Sequence, residues 1–173
     1  MGQLIVILIR LAIPLSILRW PLAGGIVAML IDALDVVLIE MVGGHFENYS
    51  ALDKGLDTYY LALELYVSLG WQALAKWTSV ALFAYRTAGV VAFEVTQTRW
   101  LLLVFPNLFE NFYLAYLVIL RFFPRFVLTP HRLGALLLLL LVPKLAQEYL
   151  LHYSEAQPWD WVKRNVLRDA WRF

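Results

Sequence analysis

Long apolar blocks separated by short polar breaks dominate the chain. The blocks fall at residues 4–18, 22–42, 53–69, 73–93, 100–123 and 133–151. Each approaches the roughly 20 residues that a helix needs to cross a bilayer. The breaks are made of turn formers. Arg19-Trp20-Pro21 forms a tight turn, with Pro21 suited to a helix start. Gly43-Gly44 is a helix stop, and Gly70 closes the third block. Pro106-Asn107 interrupts the fifth block, whose helix can alternatively begin near Leu108. The pattern predicts an all-α, polytopic membrane protein. Its residues 1–152 would form a six-transmembrane-helix bundle and its residues 153–173 an amphipathic interfacial tail. In that tail Trp159, Val162, Val166 and Ala170 share a stripe, opposite Lys163, Arg164, Arg168 and Arg172.

Composition supports the pattern. Hydrophobic residues make up 62% of the 173, and charged residues 16%, against about 25% in an average soluble domain. Mean hydropathy is +0.70. Membrane lipids, a second copy of the chain or a larger membrane complex are therefore the expected partners. A net charge of +1 gives no field for nucleic acid. The lack of cysteine excludes disulfides and thiolate chemistry. Residues 4–18 contain Arg10 and Pro14 and lack a cleavage signal, so they read as a first helix rather than a secretion signal. The basic tail tips the charge balance of the loops. It places the acidic cluster and the C-terminus on the cytoplasmic side of a bacterial inner membrane.

That cluster carries the candidate chemistry. Seven of the thirteen acidic residues lie between positions 32 and 64: Asp32, Asp35, Glu40, Glu47, Asp53, Asp57 and Glu64. Acids in apolar helices are expensive and need a partner, a proton or a cation. Asp32 and Asp35 are three apart and Asp53 and Asp57 four apart, so each pair shares a helix face. A short loop makes the two helices antiparallel neighbours, and the pairs can converge. Four converging carboxylates suit an oxygen-only divalent site for Mg²⁺, Mn²⁺ or Ca²⁺. The plainer reading has Asp53 capping its helix and Asp57 pairing with Lys54; it suits Asp32 poorly, since apolar residues flank it.

The spacing resembles the CDP-alcohol phosphatidyltransferases, whose signature is D-x2-D-G-x2-A-R-x8-G-x3-D-x3-D. Asp32-Ala33-Leu34-Asp35 and Asp53-Lys54-Gly55-Leu56-Asp57 match its two aspartate pairs, at the signature's separation. The match covers about residues 4–70. The signature's glycines are Val36 and Tyr49 here, and its A-R pair is Ile39-Glu40. The resemblance thus keeps the metal-binding half and loses the nucleotide-binding half. It implies Asp32, Asp35, Asp53 and Asp57 as ligands of Mg or Mn, and Asp57 as the catalytic base toward an alcohol acceptor. It implies metal-dependent phosphoalcohol transfer in phospholipid metabolism with an altered donor site. The alternative is a non-catalytic small transmembrane subunit of a larger membrane complex. A third reading is an ion or proton pathway through Asp32, Asp35 and Glu64 with Arg86.

Arg10, Glu40 and His45 are the candidates for contact with substrate. Arg10 offers a fork for a lipid phosphate, Glu40 replaces the signature's arginine, and His45 lies in the loop beside the cluster with Glu47. Glu64 is expected to pair with Arg86 of the fourth helix. Gly24-Gly25 in the second block suits close helix packing.

Overall fold

A computed structural model of the chain describes residues 2–41, 49–98 and 100–149. These residues are almost wholly helical. The first helix, α1, spans Gly2–Ala12 and tightens without a break into a 3-10 segment, Ile13–Leu18. Pro14 lies in the first turn of that segment. It lacks an N–H and its ring opposes the preceding turn, so an ideal α-helix cannot run through it. Three residues per turn then eclipse side chains three apart. Pro14 and Ile17 are both buried, while Leu15 and Leu18 are both exposed.

Helix α2 (Pro21–Met41) folds back on this segment. The approach is close because residue 24 is glycine. A Cβ there would sit 2.5 Å from the backbone nitrogen of Ile17. Helix α3 covers Tyr49–Ser68 and α4 covers Ala73–Thr96. Helix α4 stops at Gln97, whose φ of 53° turns the chain in the left-handed region. The fifth apolar block is split: α5 (Trp100–Val104) and α6 (Leu108–Phe122) flank Phe105-Pro106-Asn107. Helix α7 (Pro130–Glu148) begins with Thr129 accepting a bond from the Arg132 N–H and Pro130 in its first turn.

Helix α6 is the hub. It packs against α2, α3, α4 and α7. Phe109, Phe112, Tyr113 and Tyr116 recur at the helical period and are all buried. Ile17, Ala28, Tyr60 and Leu61 close on Phe109 and Tyr113. Ala75 and Leu128 close on Phe112 and Tyr116. Trp71, at the α3–α4 turn, stacks on Tyr113 at 5.5 Å and tilts over Tyr116 at 4.7 Å. Gln72 donates to the Tyr116 hydroxyl at 2.8 Å.

The all-α expectation holds, but the six-span bundle does not. Among the described residues no helix is long and apolar enough to cross a membrane. The reasons are local. Pro14 ends α1 after 11 residues, and the Pro106 break leaves α6 with 15. At 1.5 Å per residue, α6 reaches only about 22 Å of the roughly 30 Å hydrocarbon layer. Helix α2 carries Asp32, Asp35 and Glu40; α4 carries Lys76, Arg86 and Glu94; α7 carries His131, Arg132 and Lys144. The integral, multi-pass inner-membrane placement, with the Asp cluster and C-terminus cytoplasmic, falls with the spans. The tail 153–173 lies outside the described residues.

Candidate functional site

Helices α1, α2 and α3 meet at one guanidinium. Arg10 is 4% exposed. Its Nη2 donates to Asp32 Oδ1 at 2.5 Å and to Asp57 Oδ1 at 2.6 Å. The three side chains come from three elements, so these bonds tie together segments far apart in sequence. The aspartates are the wetter partners, their side chains 29% and 27% exposed. Charge-assisted bonds of this kind are shorter and stronger than neutral ones. Beside them lies a small hollow bordered by Pro14, Ala28, Ile31, Leu56 and Tyr60. Its free space of about 10 Å³ matches one water molecule.

The expected convergence of the aspartate pairs is thus met for Asp32 and Asp57, which share one nitrogen. Asp35 and Glu40 lie on α2 and Asp53 on α3, but their side chains are outside the described residues, as are His45 and Glu47 altogether. The occupant of the focus differs from the expectation. The Arg10 guanidinium fills the space between the carboxylates where a divalent cation would sit, so these residues as arranged do not fit one. Among the described residues no group of three or more His, Asp or Glu is placed to hold a metal ion. The expected Mg or Mn site also needs Asp35 and Asp53, whose side chains lie outside the described residues. Arg10 faces carboxylates rather than a substrate phosphate. Lys54 pairs with Glu94 of α4 at 3.1 Å, and Asp57 with Arg10.

A second polar group lies deeper, along the same face of α3. Tyr60, one turn past Asp57, is buried and donates to Glu110 Oε1 of α6 at 2.9 Å. Asn107 donates to Glu110 Oε2 at 3.0 Å. Burial pushes the Glu110 carboxyl up, while the Tyr60 hydrogen bond and Lys144 pull it back. The Tyr60 phenol is raised well above its usual value, first by burial and then by Glu110. Glu64, one turn further on, is fully buried. Burial first, and then Glu110, hold its carboxyl well above the ordinary range. The expected Glu64–Arg86 pair is not formed: Arg86 donates to the Phe105 carbonyl at 3.0 Å, and Glu64 has no hydrogen-bond partner among the described residues.

Sequence reasoning missed Tyr60, Asn107, Glu110 and Lys144. One signal was present. Asn107-Leu108-Phe109-Glu110 has the polar-x-x-Glu spacing of a helix start. In the fold the two side chains bond each other instead of capping backbone N–H groups. Comparison with protein-family models, with curated proteins and with solved structures finds no match.

Proposed function

We propose that this chain is a non-catalytic helical subunit that docks on a larger protein assembly. The observation that carries the reading is the Arg10 guanidinium seated between Asp32 and Asp57. These are two of the four carboxylates that a phosphoalcohol transferase would need free. Here they serve as a three-helix clasp. The adjoining hollow holds about one water, far less than a nucleoside diphosphate. The sequence agrees, since the signature's glycines and arginine are Val36, Tyr49 and Glu40.

Exposed apolar stripes supply the docking surface. Leu4, Leu8, Leu11, Leu15 and Leu18 are exposed and recur at alternating spacings of four and three. Leu138, Val142 and Leu145 repeat that spacing on α7. Within an α-helix it is the spacing by which one helix packs on another; past Ala12 the 3-10 segment swings Leu15 and Leu18 round from the line of Leu4, Leu8 and Leu11. Exposed apolar residues aligned along a helix mark an interaction site.

The convergence of Asp32 and Asp57 at the signature's spacing favours a second reading, phosphoalcohol transfer. The experiment titrates purified protein with Mg²⁺ and Mn²⁺ by calorimetry. It then assays transfer from CDP-alcohols and measures the native mass of the particle that holds the chain in gentle extracts. The subunit reading expects no transfer and a protein particle well above 20.0 kDa that shrinks when Leu8 and Leu15 become Glu. Transfer that Asp57→Asn abolishes would establish the second reading instead. A monomer that binds only lipid vesicles would replace the protein partner with a lipid surface and overturn the first.

A further inference from the structure

We propose that Glu64 and Glu110 form a one-proton carboxyl pair in the centre of the fold, with the proton held on Glu64. The pair is a binding site for a single hydron, loaded as the chain folds.

The geometry assigns the proton. Both oxygens of Glu64 are buried and lack a hydrogen-bond partner among the described residues. Facing it across the interface, α2 presents Gly25 and so no side chain. A Cβ on residue 25 would lie 3.1 Å from Glu64 Oε1 and equally close to the Tyr113 ring. A carboxylate in such a place would be an uncompensated charge against glycine backbone and aromatic carbon. A neutral acid there leaves only a weak polar group unsatisfied.

Glu110 is the opposite case. One of its oxygens accepts from Tyr60 and the other from Asn107. Lys144 of α7 and Arg86 of α4 add positive potential. Of the two, Glu110 is therefore the member built to hold the negative charge. Charge on Glu110 opposes a second charge on Glu64, so the two do not both ionise cheaply, and they titrate as a pair.

The other charged groups around the pair are accounted for. Helix α1 offers Arg10, committed to Asp32 of α2 and Asp57 of α3. Helix α6 adds the Tyr113 hydroxyl, which donates to the Pro21 carbonyl. None of these supplies a cation to Glu64. The balance is simple: on folding near neutral pH the Glu64 carboxylate of the unfolded chain takes one proton from solvent and becomes COOH. Unfolding returns it.

Infrared spectroscopy of the full chain at pH 7 tests this. The carbonyl stretch of a carboxylic acid without hydrogen bonds is expected in the native protein. It should move on ¹³C-glutamate labelling, vanish in Glu64→Gln and survive in Glu110→Gln. The labelling arm uses the unaltered sequence, so the test stands even where a variant fails to fold. Unfolding calorimetry of the wild type in buffers of different ionisation heat should count about one proton more released than in Glu64→Gln. No acid band at pH 7, a band that persists in Glu64→Gln, or a proton count differing by zero or by two would overturn the assignment.

Discussion

Replacing Arg10 with Met keeps most of the apolar stem and deletes the guanidinium. The magnitude follows from the two bonds lost. A hydrogen bond to a charged group contributes about 1.5–3 kcal/mol net. Removing one member of a fully buried ion pair costs about 3–5 kcal/mol, because the other is stranded. Here the groups left behind are Asp32 and Asp57, each more than a quarter exposed, so water recovers part of the loss. About 3 kcal/mol is the expected destabilisation, on the order of a quarter to a half of a typical domain's stability. Urea unfolding followed by helix circular dichroism measures it. The two aspartates would then repel each other across the vacated space. Asp57→Asn in the Arg10→Met background should therefore cost less than Asp57→Asn alone, with a coupling of about 1–2 kcal/mol. The penalty of Arg10→Met should also shrink as pH falls, since a proton on either aspartate relieves the repulsion. If Arg10→Met stays within about 0.5 kcal/mol of wild type, the range of an ordinary surface change, the three-helix clasp is refuted. Additive single and double variants would refute it equally.

Further outcomes are expected elsewhere. Gly24→Ala puts a methyl 2.5 Å from Ile17 backbone nitrogen, which cannot swing aside, and should lower stability by about 3 kcal/mol in the same assay. Gly55→Ala meets nothing within 4 Å on exposed helix and should raise stability by about 0.5–1 kcal/mol. Gly89→Ala drives a Cβ to within 2.2 Å of the Phe105 Cβ and should cost about 1–3 kcal/mol, separating α4 from α5. Glu64 sets a pH slope. Its folded-state value is raised, so its contribution is fullest below the ordinary glutamate value of about 4.3 and declines as pH rises toward the folded value. Across that window, wild type should lose about 1.4 kcal/mol per pH unit relative to Glu64→Gln, read from paired denaturation curves.

Helix positions were legible in the chain because glycine and proline act locally. Pro21, Gly70 and Pro106 each end or start a helix where the sequence places them. Gly24-Gly25 was legible as a place of close packing, but not that the neighbour of Gly24 is the backbone of a 3-10 segment. Spacing also foretold that Asp32 and Asp57 would meet. It could not name what lies between them, because the Arg10 partnership joins residues 22 and 47 positions apart. Glu64 and Arg86 looked like partners because both are charges on adjacent apolar helices. The open carbonyl at the Pro106 break offered Arg86 a nearer acceptor. The membrane expectation failed at a different point. Block length in sequence counts residues across Pro14 and Pro106, where the helices themselves change or stop.

The 3-10 segment after α1 acts as a phase shifter. Each of its residues turns the chain by about 120° instead of about 100°. Over the four steps from Ile13 to Ile17 the difference accumulates to roughly 80°. Were Pro14 replaced by a residue that lets the α-helix run on, Ile17 would rotate away from Phe109 and Leu18 toward it. Arg10, upstream of the shift, would keep its bearing on Asp32 and Asp57. The imino acid thus sets how the polar clasp and the aromatic interior are angled relative to each other about a single helical axis.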